Sequence, residues 1–143
     1  MIGKFTTDEN GIVVLKAGDR IKTPETFTPP VVFRIVAQTE KNNVRLAYAA
    51  EHIIFNWELN RTELRVHGGP PDGHHKAGAG QIPINTWVTI DLLVRPRLMA
   101  ISVDGQLRHQ IPADYSQVND PLQIFGYDST IKIKSVRVRQ LAQ

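Results

Sequence analysis

Three closely spaced segments, residues 44–49, 52–59 and 63–67, alternate apolar and polar side chains one by one. A period of two sends successive side chains to opposite faces of a β-strand. The alternation therefore predicts three adjacent strands, with Leu46, Tyr48, Ile53, Phe55, Trp57, Leu64 and Val66 on one face and Arg45, Asn56, Glu58, Arg65 and His67 on the other. The first set reads as core. The second carries two guanidiniums, an amide, a carboxylate and an imidazole where an ordinary solvated face carries Lys, Thr, Ser and Glu, and it predicts a binding surface.

Strand signals recur at residues 11–16, 20–23, 31–38, 86–95, 98–103, 106–110, 122–127 and 131–140, and no segment sustains a helical period. Short strands divided by turn residues predict an all-β sandwich or barrel. Asp104-Gly105 supplies the two positive-φ positions of a type I′ hairpin turn. Pro96, with no amide to donate, suits the preceding connection, so residues 86–110 predict an antiparallel meander. In the last strand Ile131 and Ile133 share one parity, and Val136 and Val138 the other. Such a slip would turn apolar residues to solvent unless the register were reset, which predicts a β-bulge at Lys134 to Ser135.

Residues 67–83, HGGPPDGHHKAGAGQIP, have no apolar period and are dense in Gly and Pro. They predict a surface loop of functional length. It starts where the polar face ends, which predicts Asp72, His74 and His75 at a lip over that face.

At 143 residues with 22% charged side chains of both signs, the chain reads as a single domain over 1–143, large enough to bury a core. The net charge of +3 is scattered apart from Lys132, Lys134, Arg137 and Arg139. These alternate with apolar residues as one solvated strand face does, without the exposed aromatics of a nucleic-acid surface, so no nucleic-acid partner is expected. No apolar run approaches the roughly 20 residues that span a bilayer, and no membrane partner is expected. Cysteine is absent, which removes disulfides and thiolate metal sites. Residues 1–10 lack the charged and apolar regions of a secretory signal. An extracellular or periplasmic location follows only for a module cut from a secreted polypeptide.

Glycoside hydrolysis normally needs two carboxylates flanking the scissile bond, and the strand HIIFNWELN offers only Glu58, with Glu63 expected at a turn edge. His67, Asp72, His74 and His75 have metal-ligating chemistry, but their spacing fits no strong motif. No G-x-S-x-G elbow supports a serine nucleophile. Parity puts Trp57 inside with Ile53 and Phe55, whereas Trp87 opens its strand at the rim. Tyr48, Tyr115 and Tyr127 are assigned to neither place.

The C-terminal half, NTWVTIDLLVRPRLMAISVDGQ followed by DYSQ and LQIFGYDSTIKIKSVRVRQL, resembles the concanavalin A-like lectin/glucanase superfamily, which includes laminin G-like and 3-keto-disaccharide hydrolase domains. Trp87 opening a long strand, Asp104-Gly105 ending the next and residues 131–141 closing the sheet carry the resemblance. It implies an antiparallel two-sheet jelly roll with sugars bound on the concave sheet or loop rim, and so implies that the polar face is the concave one. Glucanases of the superfamily carry an E-x-D-x-E strand that this chain lacks. The expectation is noncatalytic carbohydrate binding by Arg45, Asn56, Glu58, Arg65, His67, Asp72, His74 and His75. The two arginines suit an acidic sugar, since guanidinium pairs bidentately with carboxylate. No cofactor is expected, and a structural calcium, familiar in the superfamily, is left open. The alternatives are a glycoside-processing hydrolase or lyase using Glu58 or His67, and a structural or adhesive sandwich.

Overall fold

The computed structural model describes residues 1–142. Its strands are β1 (Ile2–Gly3), β2 (Thr6–Thr7), β3 (Val13–Leu15), β4 (Arg20–Lys22), β5 (Val31–Thr39), β6 (Val44–Ala47), β7 (His52–Phe55), β8 (Arg65–His67), β9 (Val88–Arg95), β10 (Leu98–Val103), β11 (Gln106–Pro112), β12 (Gln123–Phe125) and β13 (Ile131–Gln140), with no helix among the described residues. Six form one antiparallel sheet in the order β1-β4-β12-β6-β7-β8, and seven form the other, β11-β10-β9-β5-β13-β3-β2. Alternation decides which side chains meet between them: Val31, Phe33, Ile35 and Ala37 of β5 are buried, as are Leu46, Ile53, Val66 and Ile124 of the six-stranded sheet. The meander forms as β9, β10 and β11, and Asp104 and Gly105 both have positive φ, 51° and 80°. The bulge forms between Ile133 and Ser135, which lets both halves of β13 pack against the core.

The three strands of the polar face are shorter than the alternation suggests. The second ends at Phe55 because Asn56 turns to φ 52°, in the left-handed region that breaks a strand. Beyond it parity carries no information, and Trp57 is half-buried rather than in the core.

Candidate functional site

The outward side chains of the six-stranded sheet form two cross-strand rows. Register aligns Lys22, Gln123 and Ala47 in one, with His52 opposite His67 on the next strand pair. The neighbouring row runs Arg20, Phe125, Arg45, Ile54 and Arg65.

Where the first row meets the loops, a depression of about 820 Å3 opens on this face. Ala47, His52 and Gln123 line it from the sheet, and loop residues 49–51, 69–70 and 114–121 contribute its walls. Those loops are locked to one another. Ala49 holds φ 59°, its N–H donates to Asp120 Oδ2 at 3.2 Å, and Gly69 packs so closely on its carbonyl that a Cβ there would overlap it. A left-handed non-glycine residue is sparsely populated and needs such over-determination to persist.

His52 is the chemically unusual residue in the depression. Its Nδ1 is, among the described residues, the one buried side-chain polar atom without a hydrogen-bond partner. The ring stands edge-on to Phe125, centroids 5.5 Å apart. Burial, reinforced by the positive surroundings of Arg45, His67 and Arg20 and opposed by Glu51, holds its pKa below the ordinary imidazole value of 6.5. Nδ1 is sealed beneath the face, so the ring can offer a ligand only its other nitrogen, as donor or acceptor according to tautomer.

Three carboxylates border the depression, Glu51, Asp114 and Asp120. Asp120 is spent on the Ala49 amide. Asp114 accepts from the Ser116 hydroxyl and amide at 2.6 and 3.0 Å, and these bonds hold its pKa below the usual carboxylate value.

The sequence-predicted residues fall in several places. Arg45 Nη2 donates to both Glu58 oxygens at 2.7 and 3.0 Å, and the buried amide of Asn43 bonds both partners. Arg45 also lies over the Tyr127 ring, 5.3 Å from its centroid. Glu58, in the turn after β7, is thus an ion-pair partner of Arg45. Asn56 is fully buried, its amide bonding the Asn42 carbonyl and both backbone groups of Ile82, so it does not belong to the exposed face. The left-handed turn that ends β7 is what redirects it. Arg65 lies over Trp57 at 4.5 Å, and His67 is exposed with Nδ1 3.4 Å from Asp72 Oδ1.

The long loop is a strap rather than a lip. Leu64 and Lys76 exchange backbone hydrogen bonds, His75 Nδ1 accepts the Val66 N–H at 3.0 Å, and Asp72 accepts the Gly68 N–H at 2.7 Å. The loop then reaches the other sheet, where Arg108 donates to the carbonyls of Ala79 and Gln81 and His109 meets the His74 carbonyl at 2.8 Å. It covers the open edge of β8, as exposed edges generally require. Asp72, His74 and His75 therefore stand outside the depression, to which the loop gives only Gly69 and Pro70. Among the described residues no three His, Asp or Glu side chains are grouped to hold a metal ion.

Sequence reasoning missed His52, Arg20, Gln123 and the 114–121 loop. His52 was within reach, because it shares the outward parity of Asn56 and Glu58 in its segment. The loop gave no local signal.

No protein-family profile matches the sequence, and no curated protein matches it. Solved structures do match in shape. A Bacillus licheniformis β-glucanase superposes with a TM-score of 0.73 at 15% identity, over 96% of this chain and 82% of its own. The carbohydrate-binding module CBM66 from Bacillus subtilis gives 0.67 at 12%, over 97% and 92%. A galectin from Caenorhabditis elegans gives 0.64 at 12%, over 94% and 100%. Together with the two antiparallel sheets and their order, these matches identify the fold: the chain is a concanavalin A-like jelly-roll sandwich.

Proposed function

We propose that the chain binds carbohydrate without transforming it, in the depression on the outer face of the six-stranded sheet. The observation that carries this reading is the half-buried His52 and the Gln123 amide flanking Ala47 on the floor of a depression whose loops are held by their own contacts before any ligand arrives. Preformed concavities with a few placed polar groups are the usual form of small-ligand sites, and preorganisation lowers the cost of binding. An amide, an imidazole and loop groups suit hydroxyls. The names of the β-glucanase and the carbohydrate-binding module point to the same ligand class on this fold, although one fold hosts many functions.

Catalysis is less well supported because Asp114 and Asp120 are committed to loop hydrogen bonds, and Glu58 to Arg45. Glu51 is the remaining carboxylate at the depression. The test is a binding screen of the intact chain against neutral and acidic soluble polysaccharides, repeated with His52→Ala and Glu51→Gln. Binding weakened in His52→Ala, with no product released by the unaltered chain, supports the reading. Product release abolished in Glu51→Gln would replace it with a hydrolase or lyase, and no binding to any glycan would leave a structural or adhesive sandwich.

A further inference from the structure

Resting on that reading, we propose that the preferred ligand is an acidic glycan laid across the strands, its anionic groups received by the arginine row beside the depression. The row places Arg20, Arg45 and Arg65 on alternate strands, β4, β6 and β8. Adjacent strands stand about 4.8 Å apart, so successive arginines are roughly 10 Å apart and the row is roughly 20 Å long. That interval is comparable to two sugar rings of an extended chain, so the two unpaired guanidiniums at the ends of the row, Arg20 and Arg65, meet anionic groups about four rings apart, with the Arg45–Glu58 pair between them.

Each guanidinium lies over an aromatic ring. Arg20 is 3.8 Å from the Phe125 centroid, Arg45 is 5.3 Å from that of Tyr127, and Arg65 is 4.5 Å from that of Trp57. Stacking holds the planar fork in one orientation, which reduces the entropy lost when it grips an oxyanion bidentately. Only Arg45 is neutralised, by Glu58. Among the described residues Arg20 and Arg65 join no ion pair. Arg20 keeps an exposed position, spends Nη1 on Gln123 Oε1 at 2.9 Å, and also lines the depression, so it links the row to the hydroxyl-binding part of the site.

The opposite rim is negative, with Glu51, Asp114 and Asp120. A face graded from carboxylates to guanidiniums orients a glycan with its anionic edge on the row and its hydroxyl edge in the depression. The same carboxylates oppose a densely charged polyphosphate chain, which favours a glycan over a nucleic acid.

The experiment is calorimetric titration of the intact chain with oligogalacturonate, with the same oligomer after carboxyl reduction, with chondroitin sulfate, and with single-stranded DNA, each at low and high salt. The acidic glycans are expected to bind at least about tenfold tighter than the reduced oligomer and to weaken with salt, and Arg20→Gln and Arg65→Gln are each expected to lose about tenfold. Arginine-dependent binding of chondroitin sulfate but not oligogalacturonate would support the acidic preference and change only the type of acidic glycan. Equal binding of the reduced oligomer, sensitive to His52→Ala but not to the arginine variants, would overturn the acidic preference while leaving carbohydrate binding standing. Tighter binding of DNA would overturn it as a general polyanion surface, and no binding of any glycan would overturn both readings. The acidic-versus-reduced comparison uses the unaltered chain and so decides the matter even where a variant does not fold.

Discussion

Gly69 packs against the carbonyl of Ala49, and both residues lie in the left-handed region, at φ 69° and 59°. A methyl at Gly69 would overlap that carbonyl backbone and carry the left-handed penalty as well. Gly69→Ala is therefore expected to lower stability by about 3 kcal/mol. Urea unfolding of both chains measures it, and an unchanged midpoint would show that the two loops are not locked together.

Arg45 and Glu58 are mostly shielded, their side chains 13% and 24% exposed, and the Asn43 amide ties them to the Tyr127 backbone. Removing the carboxylate strands a partly buried cation, so Glu58→Gln is expected to cost about 2 kcal/mol. It also frees the Arg45 guanidinium, so the same variant is expected to bind oligogalacturonate more tightly than the unaltered chain. Loss of binding in a folded Glu58→Gln chain would make Glu58 a ligand contact instead. Thermal melting and titration of one preparation separate the two effects.

Asn43→Ala should be worse than Glu58→Gln. Its fully buried side chain satisfies the Tyr127 amide and carbonyl, the Arg45 Nε and the Glu58 carboxylate at once. Truncation leaves several of these without partners, at a cost of about 3 kcal/mol. A smaller loss than in Glu58→Gln, read from the same urea unfolding experiment, would contradict this network.

Burial is the largest influence lowering the pKa values of His52, His75 and His109 below 6.5 in the folded chain. Their unfolded values are higher, so the unfolded state takes up protons first as pH falls. Their contribution to stability is complete above about pH 6.5 and declines as pH drops through that value toward the folded pKa values. For His75 the conflict is direct, since protonation claims the Nδ1 that accepts the Val66 amide. Melting temperature is expected to fall between pH 7.5 and 5, with a shallower decline in His75→Gln. A melting temperature that rose on acidification would contradict the assignment.

The fold was legible where alternation is unbroken. The phase slip between Ile133 and Val136 located the bulge, and Asp104-Gly105 located its hairpin, because both follow from local backbone geometry. The site was legible only in part. Alternation identified Arg45, Arg65 and His67 as outward, but it failed after Phe55, where Asn56 leaves the strand conformation, buries its own amide and brings Trp57 out beneath Arg65. Composition marked residues 67–83 as a loop but could not show that Lys76 and His75 stitch it to the β8 edge. The depression depends on loops near residues 50, 70 and 118 meeting in space, a long-range coincidence that no local pattern records.

The outer face of the six-stranded sheet is the proposed carbohydrate site. Its most direct test is nitrogen-15 NMR of the intact, isotope-labelled chain titrated with cello-, laminari- and galacturono-oligosaccharides. Saturable shifts are expected, centred on the amides of Ala49, His52, Gln117 and Gln123 and extending to Arg45 and Arg65 with the acidic oligomer. Shifts confined to the opposite sheet, around Arg34, Asp91 and Arg137, or no shifts with any of the three, would contradict it.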